Sequence, residues 1–85
     1  MKKYFIERIN YYPLDDYEYT EYEGMFKTEE IAEEYLLASG FYKDKYDYKF
    51  ESSDWHSVAY ICTMSSPNTF TVKRMKNEIW IKFNF

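Results

Sequence analysis

One segment of this chain has the sequence signals of a helix, and it constrains the fold most, because a single short helix cannot form a core alone. Thr28 is a good N-cap, and the two glutamates after it favour the positive end of a helix dipole. Gly40 suits the left-handed position just past a helix, where Phe41 can fold back on Leu36. We therefore predict a helix of about three turns over Glu29–Ser39. Its apolar face comprises Ile31, Ala32, Tyr35, Leu36 and Ala38.

Segments on both sides of this helix have the alternation and residue types of strands. Pro13 should end the first of them, because proline has no N–H to give to a sheet. The element order is therefore ββαββββ, and we predict an α+β fold, a mostly antiparallel sheet with the helix packed on one face. A chain of this length should form one domain, 1–85. The predicted strands are Lys3–Tyr12, Tyr17–Phe26, Tyr46–Phe50, Trp55–Met64, a segment containing Phe70 and Val72, and Glu78–Phe85, with turns at Glu51–Asp54, Ser65–Asn68 and Lys76–Asn77.

Strand parity and the helix face together predict the core. The eleven tyrosines are more than one modest core can use, so several should lie on the surface. In the second strand, parity places Tyr17, Tyr19, Glu21 and Glu23 on one side and Glu18, Thr20, Tyr22 and Phe26 on the other. The residues that we expect to be buried are Phe5, Ile31, Tyr35, Leu36, Phe50, Ile61, Val72, Ile79, Ile81 and Phe83, while Trp80 could belong to either side.

Negative charge is concentrated in one third of the chain. Glu7–Glu34 holds ten acids against two bases, a net charge of −8, so the other 57 residues sum to +4 and give the total of −4. Within it, Asp15–Glu23 has five carboxylates and three tyrosines in nine residues. Like charges in such a row repel each other, and few bases nearby compensate them. A basic partner would relieve that repulsion.

The residue types give no support for an enzyme. His56 and Cys62 are the only histidine and cysteine, and six residues apart on one strand they would be about 20 Å apart, too far for a nucleophilic pair. We expect His56 to be a polar edge residue and Cys62 a small core side chain. Paired catalytic carboxylates need a cleft that a chain this small is not expected to form. Because phosphate-loop, zinc and EF-hand spacings are absent, we expect no cofactor and no metal.

Membrane insertion and direct nucleic-acid binding are also disfavoured. No segment approaches the roughly 18 to 20 consecutive apolar residues that a membrane helix needs. The apolar run of a signal peptide is missing, and the lone cysteine suits a reducing compartment, so we expect a cytoplasmic location. Abundant Lys, Asn, Ile, Tyr, Phe and Glu suit the AT-rich coding of low-GC bacteria and their phages, so we expect this to be the cytoplasm of a bacterial host. A net charge of −4 repels phosphates. The basic residues near the C-terminus, Lys73, Arg74, Lys76 and Lys82, are interpreted as solvated edge charges.

The remaining feature is an acidic, tyrosine-rich surface that suits a basic protein partner. Tyrosine brings contact area and a hydroxyl, and carboxylates can replace phosphates in a nucleic-acid-binding groove. The alternative interpretation is a solvated surface that only aids solubility. Reversing Glu18, Glu21 and Glu23 to lysine should abolish binding and leave the fold intact. The predicted partner-binding residues are Asp15, Asp16, Tyr17, Glu18, Tyr19, Glu21, Tyr22, Glu23, Glu30, Glu33, Glu34 and Leu37.

In size, acidity, surplus of tyrosine and lack of a catalytic motif, the chain resembles the small anti-defence proteins of phages and mobile elements. The anti-CRISPR inhibitors are the best-known group of these, and many are single acidic domains that block a nucleic-acid-binding surface. The resemblance implies a non-enzymatic inhibitor that occludes a basic surface of a host defence protein such as a CRISPR effector. It lies in overall character and carries over no functional residue.

Two other classes of protein stay open at this point. An oligomer could sequester a nucleotide between aromatic rings, with Lys73, Arg74 or Lys82 binding the phosphate. A structural subunit could instead assemble through an exposed edge strand, for which Glu78–Phe85 with its apolar row is the candidate. Stabilisation by nucleotides would favour the first class, and a size that grows with concentration would favour the second.

Overall fold

The structure, a computed structural model, describes residues 3–44, 55–64, 72–76 and 78–83. Its strands are β1 (Tyr4–Tyr12), β2 (Tyr17–Phe26), β3 (Tyr42–Asp44), β4 (His56–Met64), β5 (Val72–Arg74) and β6 (Ile79–Phe83), and its helix is α1 (Glu29–Ala38). One turn of 3-10 helix, Pro13–Asp15, separates β1 from β2. The predicted α+β class and element order are confirmed. The predicted strand Tyr46–Phe50 and the turns Glu51–Asp54 and Ser65–Asn68 lie outside the described residues, whereas β3 was not predicted.

All described strands belong to one antiparallel sheet, which determines which of them are exposed along their length. The order is β2-β1-β4-β6-β3, and β5 pairs with β4 beside this path. Thus β2 forms one edge of the path and β3 the other. The last strand, β6, lies between β4 and β3. It therefore does not offer the free edge that assembly through Glu78–Phe85 would need.

Local hydrogen bonds explain where α1 begins and ends. The Thr28 Oγ1 accepts a hydrogen bond from the Ile31 backbone N–H at 3.2 Å, which satisfies one of the donors left over at a helix N-terminus. At the other end, Gly40 has a φ of +92°, and the Phe41 N–H donates to the Leu36 carbonyl at 3.0 Å. This Schellman arrangement is the one predicted from the sequence. It ends the helix one residue earlier than expected.

The main core lies between α1 and the side of the sheet that α1 covers, called here the helix face. Ala32 and Leu36 are fully buried against β1, β4 and β6. Trp80, which the sequence left unassigned, pairs with Ala59 of β4 and lies on this face. The buried cluster comprises Ile6, Ala32, Leu36, Phe41, Ala59, Ile61 and Trp80.

Two of the predicted core residues on α1 are wrong. Ile31 and Tyr35 are 45% and 39% exposed, respectively. The apolar face of the helix is wider than the surface it packs on, so these two side chains fall on its β2 flank, where the Tyr35 ring lies 5.2 Å from that of Phe26. Burial is confirmed for Phe5, Leu36, Ile61 and Ile81. Ile79 and Phe83 are half-buried. Phe50 and the Val72 side chain lie outside the described residues.

A β-bulge at Gly24 changes the face on which Phe26 lies. Ile6 of β1 pairs with Glu23, but Tyr4 pairs with Phe26, so β2 contains one extra residue between them. Gly24 has a φ of +84°, which glycine adopts without steric penalty. The extra residue turns the Phe26 ring to the helix face, whereas simple alternation predicted the opposite face.

The second side of the sheet, called here the open face, carries no described helix. Parity places Phe5, Glu7 and Tyr11 of β1 on it. Several apolar side chains of this face are nevertheless buried: Phe5, Val58, Cys62 and Ile81. At the end of the sheet where β1 turns into β2, Tyr11 and His56 pair on the open face, and this end carries the candidate site.

Candidate binding site

Half of the twelve predicted partner-binding residues lie on β2, along an exposed edge of the sheet. β2 pairs with β1 on one side, and no described strand lies on its other side. Tyr17 is 56% exposed, and Tyr22 is exposed as well. The alternation predicted for this strand is confirmed up to the bulge, with Tyr17, Tyr19, Glu21 and Glu23 on the helix face and Glu18 and Tyr22 on the open face.

The acids of this edge differ in how firmly the fold holds them. Four are exposed and form no ion pair with any described residue: Asp15, Asp16, Glu18 and Glu21. Glu23, in contrast, lies 4.0 Å from the Arg8 guanidinium and accepts a hydrogen bond from the Tyr35 hydroxyl at 3.1 Å. The Tyr22 hydroxyl donates to the Glu7 carboxylate at 3.3 Å. Glu23 and Tyr22 therefore also support the fold.

The helix residues of the predicted site point in two directions. Three are exposed on the side of α1 away from the sheet: Glu30, Glu34 and Leu37. Glu33 faces the β6 side, where its carboxylate lies within 4.8 Å of those of Glu29 and Glu78. The structure therefore does not bring Glu33 together with β2.

Lysines pair with two of the three acids in the cluster formed by Glu29, Glu33 and Glu78. The Lys76 Nζ lies 2.9 Å from a Glu29 oxygen, and the Lys43 Nζ lies 3.0 Å from a Glu78 oxygen. Hydrogen bonding to Glu29 and the negative charge of that carboxylate raise the pKa of Lys76. The cluster ties α1 to the segment before β6, and the lysines use carboxylates that a bound cation would need.

An aromatic cluster that was not identified from the sequence lies on the helix face, beyond the residues on which α1 packs. Tyr12 is at its centre, with its ring centroid 5.1 Å from that of Trp55 and an interplanar angle of 11°. The rings of Tyr17 and Tyr19 each lie 6.0 Å from the Tyr12 ring. The one available signal was the short Pro13 turn, which sets Tyr12 opposite Tyr17.

On the open face, the same end of the sheet forms a cleft of about 500 Å³. Small-ligand sites have volumes of roughly 300 to 1,000 Å³. A chain this small was not expected to form such a cleft. Among the described residues, its walls are Tyr11, Tyr12, Pro13, Asp16, Tyr17, Glu18, His56, Val58, Tyr60 and Ile79.

His56 lines this cleft, and its predicted role as a polar edge residue is wrong. Its side chain is only 4% exposed and lies on β4, an interior strand. The imidazole stacks on the Tyr11 ring with centroids 5.1 Å apart. Strand order decides this burial, and parity does not reveal strand order. Cys62 is buried as predicted, and it lies six residues along the same strand, about 20 Å away by strand rise.

The polar groups of the cleft are mainly acidic. Asp16 and Glu18 contribute carboxylates, and no lysine or arginine is among the described lining residues. Burial and the nearby negative charge of Glu18 raise the pKa of Tyr11. The cleft therefore favours a cation over an anion.

The basic residues considered for a nucleotide phosphate are placed elsewhere. The Arg74 guanidinium donates to Glu7 Oε1 at 2.8 Å and lies 3.7 Å from the centroid of the Tyr60 ring. Lys73 and Lys82 belong to the helix face by their register with β4. The cleft therefore lacks the phosphate ligands that nucleotide binding was expected to use.

The chain matches no family model, and comparisons with curated proteins and with solved structures find no significant similarity. Within the described part of the chain, the helix is too short and too polar to cross a membrane. The function is therefore argued from the site itself.

Proposed function

We propose that this is a non-enzymatic binding protein whose β2 edge binds a basic surface of a second protein and occludes it from nucleic acid. The observation that carries the proposal is β2 itself, ten residues along an exposed edge with tyrosines beside carboxylates, of which Glu18 and Glu21 form no ion pair in the described part of the chain. The resemblance to anti-CRISPR inhibitors supports a host defence protein, such as a CRISPR effector, as the partner.

Electrostatic repulsion within the edge supports a basic partner. Glu21 and Glu23 are two residues apart on one face, and hence about 7 Å apart. Arg8 lies directly opposite Glu21 in the register, but among the described acids its guanidinium forms an ion pair with Glu23 alone. Bringing Arg and Lys side chains to this row would remove the repulsion and add charge-assisted hydrogen bonds. The exposed ring of Tyr17 would supply contact area that carboxylates lack.

The same charges disfavour pairing of two copies through β2. An antiparallel pair of β2 edges would set acids of one copy near acids of the other, and like charges across strands are destabilising. An exposed edge of this length is otherwise suited to strand addition. The partner that fits is therefore a different, positively charged chain.

Two charge-reversal variants with equal changes in net charge test the proposal. Asp15→Lys/Glu21→Lys changes the β2 edge at residues that the described contacts leave unpaired, whereas Glu30→Lys/Glu34→Lys changes the outer side of α1. Each variant and the wild type are immobilised and incubated with host lysate. The proposal is supported if a protein is retained by the wild type and the α1 variant but lost by the β2 variant. Nucleic acid bound to that protein should compete with its capture, and its retention should fall with salt.

Equal loss with both variants would show that overall charge, not the β2 edge, holds the partner. Retention by the β2 variant would overturn the proposal outright. Glu23 is left unchanged in both variants because its contacts with Arg8 and Tyr35 would make a folding defect hard to separate from a binding defect.

The cleft favours one other function, sequestration of a small molecule. Its volume and aromatic walls suit a ring, but its acids disfavour a phosphate. Thermal unfolding in the presence of a nucleotide series separates the two functions, since only a nucleotide-binding protein would be stabilised. We expect no stabilisation.

A further inference from the structure

We infer that the cleft on the open face is the recognition pocket for an arginine side chain of the basic partner. This inference rests on the proposed function, because it adds a specific contact next to the same strand. The cleft and the β2 edge share Tyr17 and Glu18. A chain bound along the beginning of β2 could therefore place one side chain in the cleft without leaving the edge.

The charge of the cleft selects a cation. Asp16 and Glu18 line it, neither forms an ion pair with a described residue, and no described base lines the walls. A phosphate or carboxylate would meet repulsion here, whereas a guanidinium would find two acceptors.

The walls of the cleft favour arginine over lysine. A guanidinium is planar, stacks on aromatic faces and donates in a fork that matches carboxylate oxygens, while an ammonium is a compact, strongly hydrated charge. Tyr11 and His56 form a stacked pair in the cleft, which is also lined by the Asp16 and Glu18 carboxylates. Rings beside carboxylates are the combination that arginine uses best.

The molecule already contains one arginine held in this way. On the same face, the Arg74 guanidinium lies over the Tyr60 ring, and its Nε and Nη2 donate to one oxygen of Glu7 at 3.0 and 2.8 Å. Tyr60 is also a wall of the cleft. An arginine from the partner would reproduce, with Glu18 and the Tyr11 ring, the pairing that Arg74 makes with Glu7 and Tyr60.

The size of the cleft suits an arginine in a peptide better than a lone cation. At about 500 Å³ it has room for the long side chain and for part of the adjoining backbone. The aliphatic stem of arginine can cover the apolar walls formed by Val58 and Ile79 while its charged end meets the carboxylates.

Short peptides test this pocket without knowledge of the partner. The probe is acetyl-Gly-Arg-Gly-amide, and its control carries citrulline, which has the shape of arginine without the charge. Titration followed by NMR should shift the ring signals of Tyr11 and His56. We expect the citrulline peptide to bind at least about tenfold more weakly, the effect of losing one charge-assisted hydrogen bond.

Two variants that each lose two negative charges show which carboxylates bind the arginine peptide. Asp16→Asn/Glu18→Gln removes two charges from the cleft, and Asn tolerates the left-handed backbone of Asp16, whose φ is +47°. It should weaken the arginine peptide about tenfold. Glu30→Gln/Glu34→Gln removes two charges from the outer side of α1, away from the cleft, and should leave that affinity nearly unchanged.

Each of three results would overturn the inferred arginine pocket. They are undetectable binding at millimolar peptide, equal binding of the citrulline peptide, and equal effects of the two variants. The proposed function fails separately. If the Asp15→Lys/Glu21→Lys variant loses the partner while the arginine peptide does not bind the wild type, the proposed function of the β2 edge is retained and only the arginine pocket is rejected. Partner capture that does not depend on β2 would overturn the proposed function whatever the peptide does.

Discussion

Single residues with unusual backbone angles shape the strand that carries the candidate site. The positive φ of Gly24 makes the bulge that turns Phe26 under α1, and the positive φ of Asp16 closes the turn between β1 and β2. Without the bulge, alternation would place Phe26 on the open face. Gly24 thus allows Phe26, at the end of β2, to pack against the core.

Replacing either glycine by alanine should destabilise the fold, but by different amounts. Both have positive φ, which costs an alanine about 1 to 2 kcal/mol. A Cβ at Gly24 would also overlap the Phe26 ring, whereas a Cβ at Gly40 would meet only the flexible Lys82 side chain at 3.5 Å. Gly24→Ala should therefore lower the urea midpoint more than Gly40→Ala, and the reverse order would contradict the bulge.

The buried Cys62 thiol predicts a loss of stability at high pH. Burial, and then the charge of Glu7, raises the pKa of Cys62 from 9.0 to about 11. The folded state thus keeps the proton longer than the unfolded state, so this contribution is complete below about pH 9 and is lost as the pH rises through about 11. Cys62→Ala should show a smaller decline over that interval in urea unfolding. An identical decline would mean that the thiol is not buried.

At the scale of elements, the features that depend on neighbouring residues were predicted from the sequence, whereas those that depend on long-range strand pairing were not. The bounds of β2 and the start of α1 agree with the structure because the Pro13 turn and the Thr28 cap act on nearby backbone. The burial of His56 and the side taken by Trp80 were beyond the sequence, since both depend on which strands flank β4 and β6. The acidic edge was recognised from composition, whereas the cleft required strand order.

The N-cap of α1 allows a direct test of that local signal. Thr28→Ala removes the acceptor for the Ile31 N–H and should lower the free energy of unfolding by about 1 kcal/mol. Thr28→Ser keeps the hydroxyl and should retain most of the stability. Urea unfolding of the three proteins measures the difference. Equal stability of the alanine and serine variants would contradict the cap.

At the scale of the whole molecule, the charge is divided between surfaces with different roles. Glu29 of α1 is paired with Lys76, Glu78 before β6 with Lys43, and the buried Glu7 with Arg74. The exposed acids at the β2 edge have no such partners among the described residues. Glu30 and Glu34 on the outer side of α1 are also without described ion pairs, so the physical reason for assigning binding to β2 is this charge together with the exposed strand edge and its tyrosines.

Hydrogen exchange of the protein with and without its captured partner tests this assignment most directly. In the free protein, the β2 amides that point away from β1 should exchange rapidly, because no described strand covers them. Binding along the edge should slow their exchange, together with that of the turn at Asp15 and Asp16. Unchanged exchange along β2, with protection confined to the outer side of α1 or to β3, would contradict the account.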